Sequence, residues 1–186
     1  MIISSSTQEP FMQQTNWHVI TGAPCSGKTA VISELEHLGY PVVHEVARAY
    51  IDERLQHGET IAQIKADILS FERYILYKKI AIEQSLIKEE TVFLDRAVPD
   101  SIGYYILEGL YPYDPIQKSQ LWRYKKIFFF DRIPLEKDPV RSEDHKIASK
   151  IDHLLKESYS MLGYEMIFVP LMSVSDRVNF ILRNAL

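Results

Sequence analysis

The sequence predicts an α/β fold in which a parallel β-sheet lies between two layers of helices. Apolar strand-like segments alternate with helical patterns along the chain after residue 16. This alternation is typical of parallel sheets, because the connection between two neighbouring parallel strands usually contains a helix. A length of 186 residues suits one domain with a single core. We therefore expect one three-layer domain over residues 17–186, preceded by a flexible polar tail at residues 1–16.

The elements follow from short apolar runs and from the residues that interrupt them. Gly39 and Gly163 mark helix ends, Pro41 opens a strand, and Ser175 is a helix-capping residue. The predicted strands cover residues 17–22, 41–45, 91–95, 126–131 and 165–169. The predicted helices run from the loop after the first strand to Leu38, and over 46–57, 60–88, 99–110, 116–124, 145–162 and 175–186.

The helix predicted at 60–88 is the longest element. Thr60 is its expected N-cap, and apolar residues from Ile61 to Leu86 recur at intervals of three, four or seven residues, which places them on one face. Lys78 and Lys79 interrupt the pattern, which favours packing within the domain over the alternative of a coiled-coil dimer.

A glycine-rich loop connects the first strand to the first helix and matches the phosphate-binding pattern G-x-x-x-x-G-K-[ST]. The glycines let backbone N–H groups surround a phosphate at the positive end of a helix. We expect Lys28 to reach the β- and γ-phosphates of a nucleoside triphosphate and Thr29 to bind Mg²⁺. The nucleotide-binding residues are Gly22, Ala23, Pro24, Cys25, Ser26, Gly27, Lys28 and Thr29.

Two Asp-Arg pairs follow apolar strands and are candidates for the magnesium carboxylate. In open α/β sheets the ligand lies beyond the carboxyl ends of the strands, so Asp95 and Asp131 are both placed suitably. We favour Asp95 as the metal ligand, because Asp131 runs directly into a charged loop. Arg96 and Arg132, which follow the two aspartates, are candidates for stabilising the transferring phosphoryl group. The alternative for each pair is a local ion pair that closes the strand.

The charged loop between the fourth strand and the helix near His145 is a candidate lid over about 132–144. Its two prolines disfavour a helix, and loops of this length in compact domains are often functional. Arg132, Lys137 and Arg141 are expected to close over phosphates, and the alternative is a solvated surface loop.

Glu45 ends the second predicted strand, again at a carboxyl edge. A carboxylate there is suited to accept the proton of an acceptor hydroxyl. It is equally suited to bind Mg²⁺ or to hold Arg48. His44, one position earlier, is expected to face the packed side of the sheet.

Other notable residues have a structural interpretation beside a functional one. Cys25 is a small residue that fits the loop, with a redox switch as the alternative. Five aromatic residues are expected to lie in the core or to line a pocket for a planar acceptor: Tyr104, Tyr105, Tyr111, Tyr113 and Trp122.

The composition excludes several classes of protein. A net charge of -4 disfavours a general nucleic-acid binder, so the cluster Arg123, Lys125 and Lys126 is interpreted as a solvated face. One cysteine forms no internal disulfide, which makes the cytoplasm the expected compartment. There is no run of about 18 apolar residues that would predict a membrane span.

Several segments together resemble one known family: Gly22 to Thr29, Pro41 to Arg48, Phe93 to Arg96 with Asp100, Asp138 to Glu143, Tyr159 to Tyr164, Val169-Pro170 and Arg177-Val178. The chain is similar to the AAA-type ATPase/kinase-like P-loop family that includes nicotinamide riboside kinase domains and translocation-defect-14-like proteins. The resemblance covers about residues 17–186.

The resemblance implies a five-stranded parallel sheet of the nucleoside/nucleotide kinase type, with the third strand beside the first. It also supports Asp95 over Asp131, Glu45 as an acceptor-side carboxylate and Arg141 as a lid residue. Loops in this family carry glycine where this chain has Cys25.

Together these features predict an ATP- and Mg²⁺-dependent phosphotransferase, with catalytic residues Lys28, Glu45, Asp95, Arg96 and Arg141. The expected acceptor is a small hydroxylated molecule such as a nucleoside or a riboside. The alternative is a regulatory module that binds ATP or GTP without an acceptor. The absence of an N-K-x-D motif favours adenine over guanine.

Overall fold

The predicted alternation of strands and helices is present in the computed structural model, which describes residues 12–131 and 142–186. In chain order the elements are β1 (Gln13–Gln14), β2 (Trp17–Thr21), α1 (Lys28–His37), β3 (Val42–Val43), α2 (Val46–Gln56), α3 (Ile61–Ile64), α4 (Ile68–Ser85), β4 (Val92–Asp95), α5 (Asp100–Leu107), α6 (Tyr113–Lys118), β5 (Trp122–Arg123), β6 (Lys126–Phe130), α7 (Ser142–Met161), β7 (Met166–Val169) and α8 (Val174–Ala185).

A five-stranded parallel sheet forms the centre of the fold, in the order β3-β4-β2-β6-β7. The third predicted strand, now β4, therefore lies beside the first, β2, as the family resemblance implies. Because all five strands run in the same direction, their carboxyl ends meet at one edge of the sheet. That edge carries the phosphate-binding loop after β2 and Asp95 at the end of β4.

The two faces of the sheet are filled by alternate residues of each strand. On one face Ile20, Phe93 and Phe128 pack with buried side chains of α1 and α8. On the other face Val19, Leu94 and Ile127 pack in a second cluster that includes Tyr159 of α7. This period of two separates the sheet residues into two cores and produces the predicted three layers.

The segment predicted as one helix at 60–88 forms two helices, so that prediction is wrong. Thr60 caps α3 as expected, in a capping box with Gln63, and the helix ends at Ile64. Asp67 then caps α4, because its carboxylate accepts a hydrogen bond from the backbone N–H of Ser70 at 3.0 Å. Phe71 is buried within the domain, which agrees with the expected packing.

The prediction of a helix at 116–124 is also wrong. The chain forms α6 earlier, and β5 then pairs in parallel with β1. This pairing also corrects part of the predicted tail, since residues 13 and 14 belong to β1 and Thr15 is buried. The partner strands are more than 100 residues apart, so local sequence patterns contain no sign of the pairing.

Smaller corrections concern the later helices. Ser173, and not Ser175, caps α8 by accepting a hydrogen bond from the backbone N–H of Asp176 at 3.2 Å. Gly39 and Gly163 have positive φ angles after α1 and α7, as their predicted roles require. Within residues 12–131 and 142–186, no helix is long and apolar enough to cross a membrane.

Most of the predicted lid, including Arg132, Lys137 and Arg141, lies outside the described residues.

Candidate active site

The phosphate-binding loop requires glycine at two positions. Gly22 has a φ of 134°, and a Cβ atom there would lie 2.6 Å from the backbone oxygen of Phe130. Gly27 has a φ of 86°, and a Cβ atom there would lie 2.8 Å from Nη1 of Arg177. The two glycines of the sequence pattern therefore permit close contacts with β6 and α8.

The side chain of Lys28 points into the loop, where its amino group forms hydrogen bonds with loop residues. Its Nζ donates hydrogen bonds to the backbone oxygens of Gly22 and Ala23 at 3.1 and 2.9 Å and to Oγ of Ser26 at 3.1 Å. Burial, together with the positive charge of nearby Arg96, lowers the pKa of Lys28 to about 8 against the opposing effect of Asp95. A bound phosphate would supply the negative charge that this buried amino group lacks.

Arg177 of α8 braces the same loop from the other side. Its Nη1 donates a hydrogen bond to the backbone oxygen of Ser26 at 2.8 Å, and its guanidinium lies over the ring of Phe130. Sequence reasoning included Arg177 only within the family resemblance and gave it no role at the site.

Arg96 occupies the centre of the site, immediately after β4. Its Nε donates to Oε1 of Glu45 at 3.3 Å and its Nη1 to Oδ1 of Asp100 at 3.2 Å, while its guanidinium lies 5.3 Å from the ring centroid of Tyr104. Burial would lower the pKa of Arg96, but Tyr104 and the surrounding carboxylates raise it above the usual range. Arg96 is therefore a permanently charged residue that holds Glu45.

Asp100 is a buried carboxylate absent from the predicted site residues. It accepts hydrogen bonds from Oγ1 of Thr21 at 2.6 Å, from the backbone N–H of Ala97 at 3.0 Å and from the hydroxyl of Tyr159. Burial raises the pKa of Asp100, but the positive charges of Arg96 and Lys79 and the hydrogen bonds to its carboxylate together outweigh this effect, and the net shift is downward. Its position four residues after Arg96, at the start of α5, was the available sequence signal.

Asp95 is buried, and its Oδ1 has no hydrogen-bond partner among the residues that the structure describes. Burial, together with the negative charge of nearby Glu45, raises the pKa of Asp95 to about 6. Asp131, the other candidate for the metal carboxylate, is exposed after β6.

Two adjoining cavities meet at Glu45, Ala47, Ile51 and Arg96. The first, here called the phosphate cleft, is also lined by Arg48 and by the loop residues from Pro24 to Thr29. The second, here called the inner cavity, has a volume of about 150 Å³, and its other lining residues are Lys65, Phe71, Glu72, Ile75, Lys79 and Tyr104. A group bound beside the loop would therefore face a molecule in the inner cavity across Glu45 and Arg96.

Glu45 is not part of a strand, as β3 ends at Val43. It is the N-cap residue of α2, and its carboxylate contacts Arg96 in place of the expected alternative Arg48. His44 is exposed and pairs with Glu36, so its predicted position against the sheet is wrong. Cys25 is exposed at the cleft, where it lies in the loop with a φ of 60°.

The five aromatic residues singled out in the sequence divide between the core and the wall of a cavity, the two positions expected for them. Tyr104 lines the inner cavity, whereas Tyr105 is buried in a core cluster. Trp122 packs on Trp17, and the remaining two tyrosines are exposed. Glu72 and Lys79 were not predicted as site residues, although charged residues beside the buried apolar positions of α4 were a usable signal.

The sequence profile described as AAA domain matches residues 17–177. The chain belongs to the AAA domain family. Membership in this family and the phosphate-binding loop together imply nucleotide binding. No curated protein sequence matches this AAA domain chain significantly.

Solved structures of small-molecule kinases share the fold of this AAA domain. Thymidylate kinase from Ehrlichia chaffeensis is 13% identical, with a TM-score of 0.65 over 94% of this chain and 100% of its own. Deoxyadenosine kinase from M. mycoides is 14% identical, with a TM-score of 0.60 over 90% of this chain and 97% of its own.

The NadR protein in complex with NAD and AMP-PNP is also similar. It is 14% identical to this AAA domain, with a TM-score of 0.66 over 94% of this chain and 50% of NadR. At these identities the likeness shows a common nucleoside/nucleotide kinase fold.

Proposed function

We propose that this AAA domain protein is an ATP- and Mg²⁺-dependent phosphotransferase that acts on a small hydroxylated acceptor, of the nucleoside or riboside type. The observation that carries the proposal is the meeting of the phosphate cleft and the inner cavity at Glu45 and Arg96. We assign the phosphate cleft to the triphosphate and the inner cavity to a second, smaller molecule. The kinase structures of the same fold support this assignment.

In the proposed reaction the acceptor hydroxyl oxygen forms a bond to the γ-phosphorus of ATP. The bond between that phosphorus and the bridging oxygen breaks, and ADP leaves. The proton of the hydroxyl passes to the carboxylate of Glu45, which Arg96 holds at the junction of the cavities. The charges of Arg96 and Lys28 stabilise the transferring group.

The donor atoms at the loop fit Mg²⁺. Asp95 offers a carboxylate oxygen that has no hydrogen-bond partner among the described residues, and Thr29 lines the phosphate cleft. In the described ranges no group of three or more His, Cys, Asp or Glu side chains forms a metal cage. Mg²⁺ commonly binds one or two protein oxygens together with phosphate oxygens and water. When bound it would neutralise charge on the β- and γ-phosphates.

Two further assignments complete the proposal. Arg132 and Arg141 are assigned to closure over the bound triphosphate, on the sequence alone. The reaction is assigned to the cytoplasm, since Cys25 is the single cysteine.

A regulatory module that binds nucleotide without an acceptor is the alternative. The inner cavity disfavours this alternative, because a module without an acceptor does not require a partly charged cavity beside the γ-phosphate position. The buried charges of that cavity are expensive to maintain without a ligand.

The proposal is tested by measuring ADP release with ATP, Mg²⁺ and a panel of nucleosides and ribosides. We expect at least one acceptor to raise ADP release, and Glu45→Gln to lower that rate by roughly 100-fold or more, because the proton acceptor is lost. Stabilisation of the protein by ATP should be retained in Glu45→Gln. Glu53→Gln, an exposed change on the same helix, is the matched control.

The proposal fails if no acceptor raises ADP release above background and Glu45→Gln leaves that background unchanged.

A further inference from the structure

Helix α4 carries three buried charged residues that the proposed phosphoryl transfer does not use: Glu72, Lys79 and Glu83. Glu72 and Lys79 are each about 5% exposed, and both line the inner cavity. Charged side chains are rarely buried without a partner, because transfer from water is unfavourable. Their presence in the wall of a cavity therefore points to a ligand.

The two residues lie at different depths of the cavity. They are seven positions apart, which is about 10 Å along a helix axis. Nζ of Lys79 donates a hydrogen bond to Oγ of Ser101 at 3.3 Å. Ser101 follows Asp100, whose carboxylate accepts a hydrogen bond from Arg96. Glu72 lies two turns earlier in α4, so it marks the end of the cavity that is farther from the reacting hydroxyl.

The carboxyl group of Glu72 lacks a hydrogen-bond or ion-pair partner within residues 12–131 and 142–186. Burial raises the pKa of Glu72 to about 7, against the opposing effect of Lys79. An N–H group of a ligand would supply the partner that the charged carboxylate lacks.

The apolar walls of the cavity suit a planar ring. Phe71, Ile75 and Tyr104 contribute to the lining, and the ring of Tyr104 is held by the guanidinium of Arg96. Ligand cavities of this kind combine aromatic walls with a few polar groups that fix orientation.

We propose that Glu72 selects the acceptor by accepting a hydrogen bond from an N–H group on its planar ring, while Lys79 donates to an oxygen of the same molecule. This inference rests on the proposed function, because it assigns the inner cavity to the acceptor. The favoured class is a nucleoside or riboside with an amino or carboxamide N–H group, over analogues that lack it.

The test compares kcat/KM for two matched pairs of acceptors: adenosine with purine riboside, and nicotinamide riboside with nicotinic acid riboside. In the wild-type protein we expect the N–H-bearing member of at least one pair to be preferred by tenfold or more. Glu72→Met should abolish the preference by raising the KM for that acceptor, with the KM for ATP unchanged. Glu72→Gln should retain it in large part, because the amide oxygen still accepts a hydrogen bond.

Lys79→Met provides a second variant and should lower kcat/KM by a similar factor for both members of each pair. Arg73→Met and Lys78→Met, at exposed positions of α4, are the matched controls and should behave as the wild type.

The inference is overturned, and the proposed function stands, if phosphoryl transfer occurs without a preference in either pair or if Glu72→Met keeps the preference. If the wild-type protein phosphorylates no acceptor of a wider panel, the proposed function and the inference fail together.

Discussion

Cys25 and Arg96 hold left-handed backbone conformations, with φ angles of 60° and 68°. Residues other than glycine rarely adopt this region, and such residues are concentrated at functional sites. One lies in the phosphate-binding loop and the other between the two cavities. The family resemblance implies glycine in related loops at the position of Cys25, and the positive φ of Cys25 agrees with that expectation. Both residues thus place backbone strain where the proposed ligands would bind.

Single residues of the site differ in how far the sequence could predict them. The loop from Gly22 to Thr29 was predicted because its chemistry depends on consecutive residues. Glu45 and Arg96 were predicted because each follows a strand, and the carboxyl ends of parallel strands share an edge. Glu72 and Lys79 come from a helix, where only the tertiary structure decides which face lines a cavity.

His18 is a buried residue of β2 whose polar atoms have no use in the proposed reaction. Its ring stacks on Phe93 with the centroids 5.2 Å apart, and neither ring nitrogen has a hydrogen-bond partner in the described part of the chain. Burial, together with the positive charges of Lys125 and Lys126, lowers the pKa of His18 from 6.5 to about 4.

This residue should make stability depend on pH. Since the folded state resists protonation and the unfolded state does not, its contribution is complete above pH 6.5 and is lost as the pH falls towards 4. Between pH 7 and pH 5 the wild type should lose about 2 kcal/mol of unfolding free energy relative to His18→Phe. Urea unfolding at the two pH values measures the difference.

Other buried groups, such as Glu83, titrate in both proteins and cancel from that comparison. His57→Phe, at an exposed histidine, should follow the wild type. Equal pH dependence of His18→Phe and the wild type would contradict the assignment.

At the scale of elements, the break between α3 and α4 shows what periodicity omits. Apolar positions continue in helical register from Ile61 through Ile64 to Ile68, so their spacing predicts one helix. The capping residues carried the missing information, because Thr60 with Gln63 and Asp67 with Ser70 each start a helix. The pairing of β1 with β5 had no such local signal, as it joins distant segments of the chain.

The cap of α3 should contribute measurably to stability. In Thr60→Ala the backbone N–H of Gln63 loses its side-chain acceptor, and we expect a loss of about 1 kcal/mol in the free energy of unfolding. Thr60→Ser keeps the hydroxyl and should stay close to the wild type. Urea unfolding measures both variants, and an equal loss in the two would show that the cap is not the cause.

At the scale of the whole molecule, the nucleotide site joins the two ends of the domain. Arg177 in α8 reaches the loop between β2 and α1, across 151 residues of sequence. The fold class and the neighbouring positions of β2 and β4 could be predicted from the sequence and its family resemblance. This long-range contact could not be predicted, because no local feature of an arginine in an amphipathic helix indicates which residue it contacts.

Removing the brace should affect stability and nucleotide binding together. We expect Arg177→Met to lose about 2 kcal/mol of unfolding free energy, because a buried charged hydrogen bond is lost. ATP should bind roughly tenfold more weakly, a change of about 1.4 kcal/mol, since the loop must then be ordered by the ligand. Calorimetric titration with ATP and urea unfolding measure the two effects.

Arg183→Met, at an exposed position of the same helix, is the control and should change neither quantity by a comparable amount. Unaltered ATP affinity in Arg177→Met would show that the loop holds its conformation without α8.

The position of Arg177 also has a consequence during protein synthesis. The phosphate-binding loop leaves the ribosome 151 residues before its brace does. At usual translation rates this interval lasts roughly 8 to 30 s. Throughout that time a nascent chain holds the complete loop sequence without the guanidinium that fixes it. Strong binding of nucleotide should therefore begin only when α8 has emerged, and not when the loop itself does.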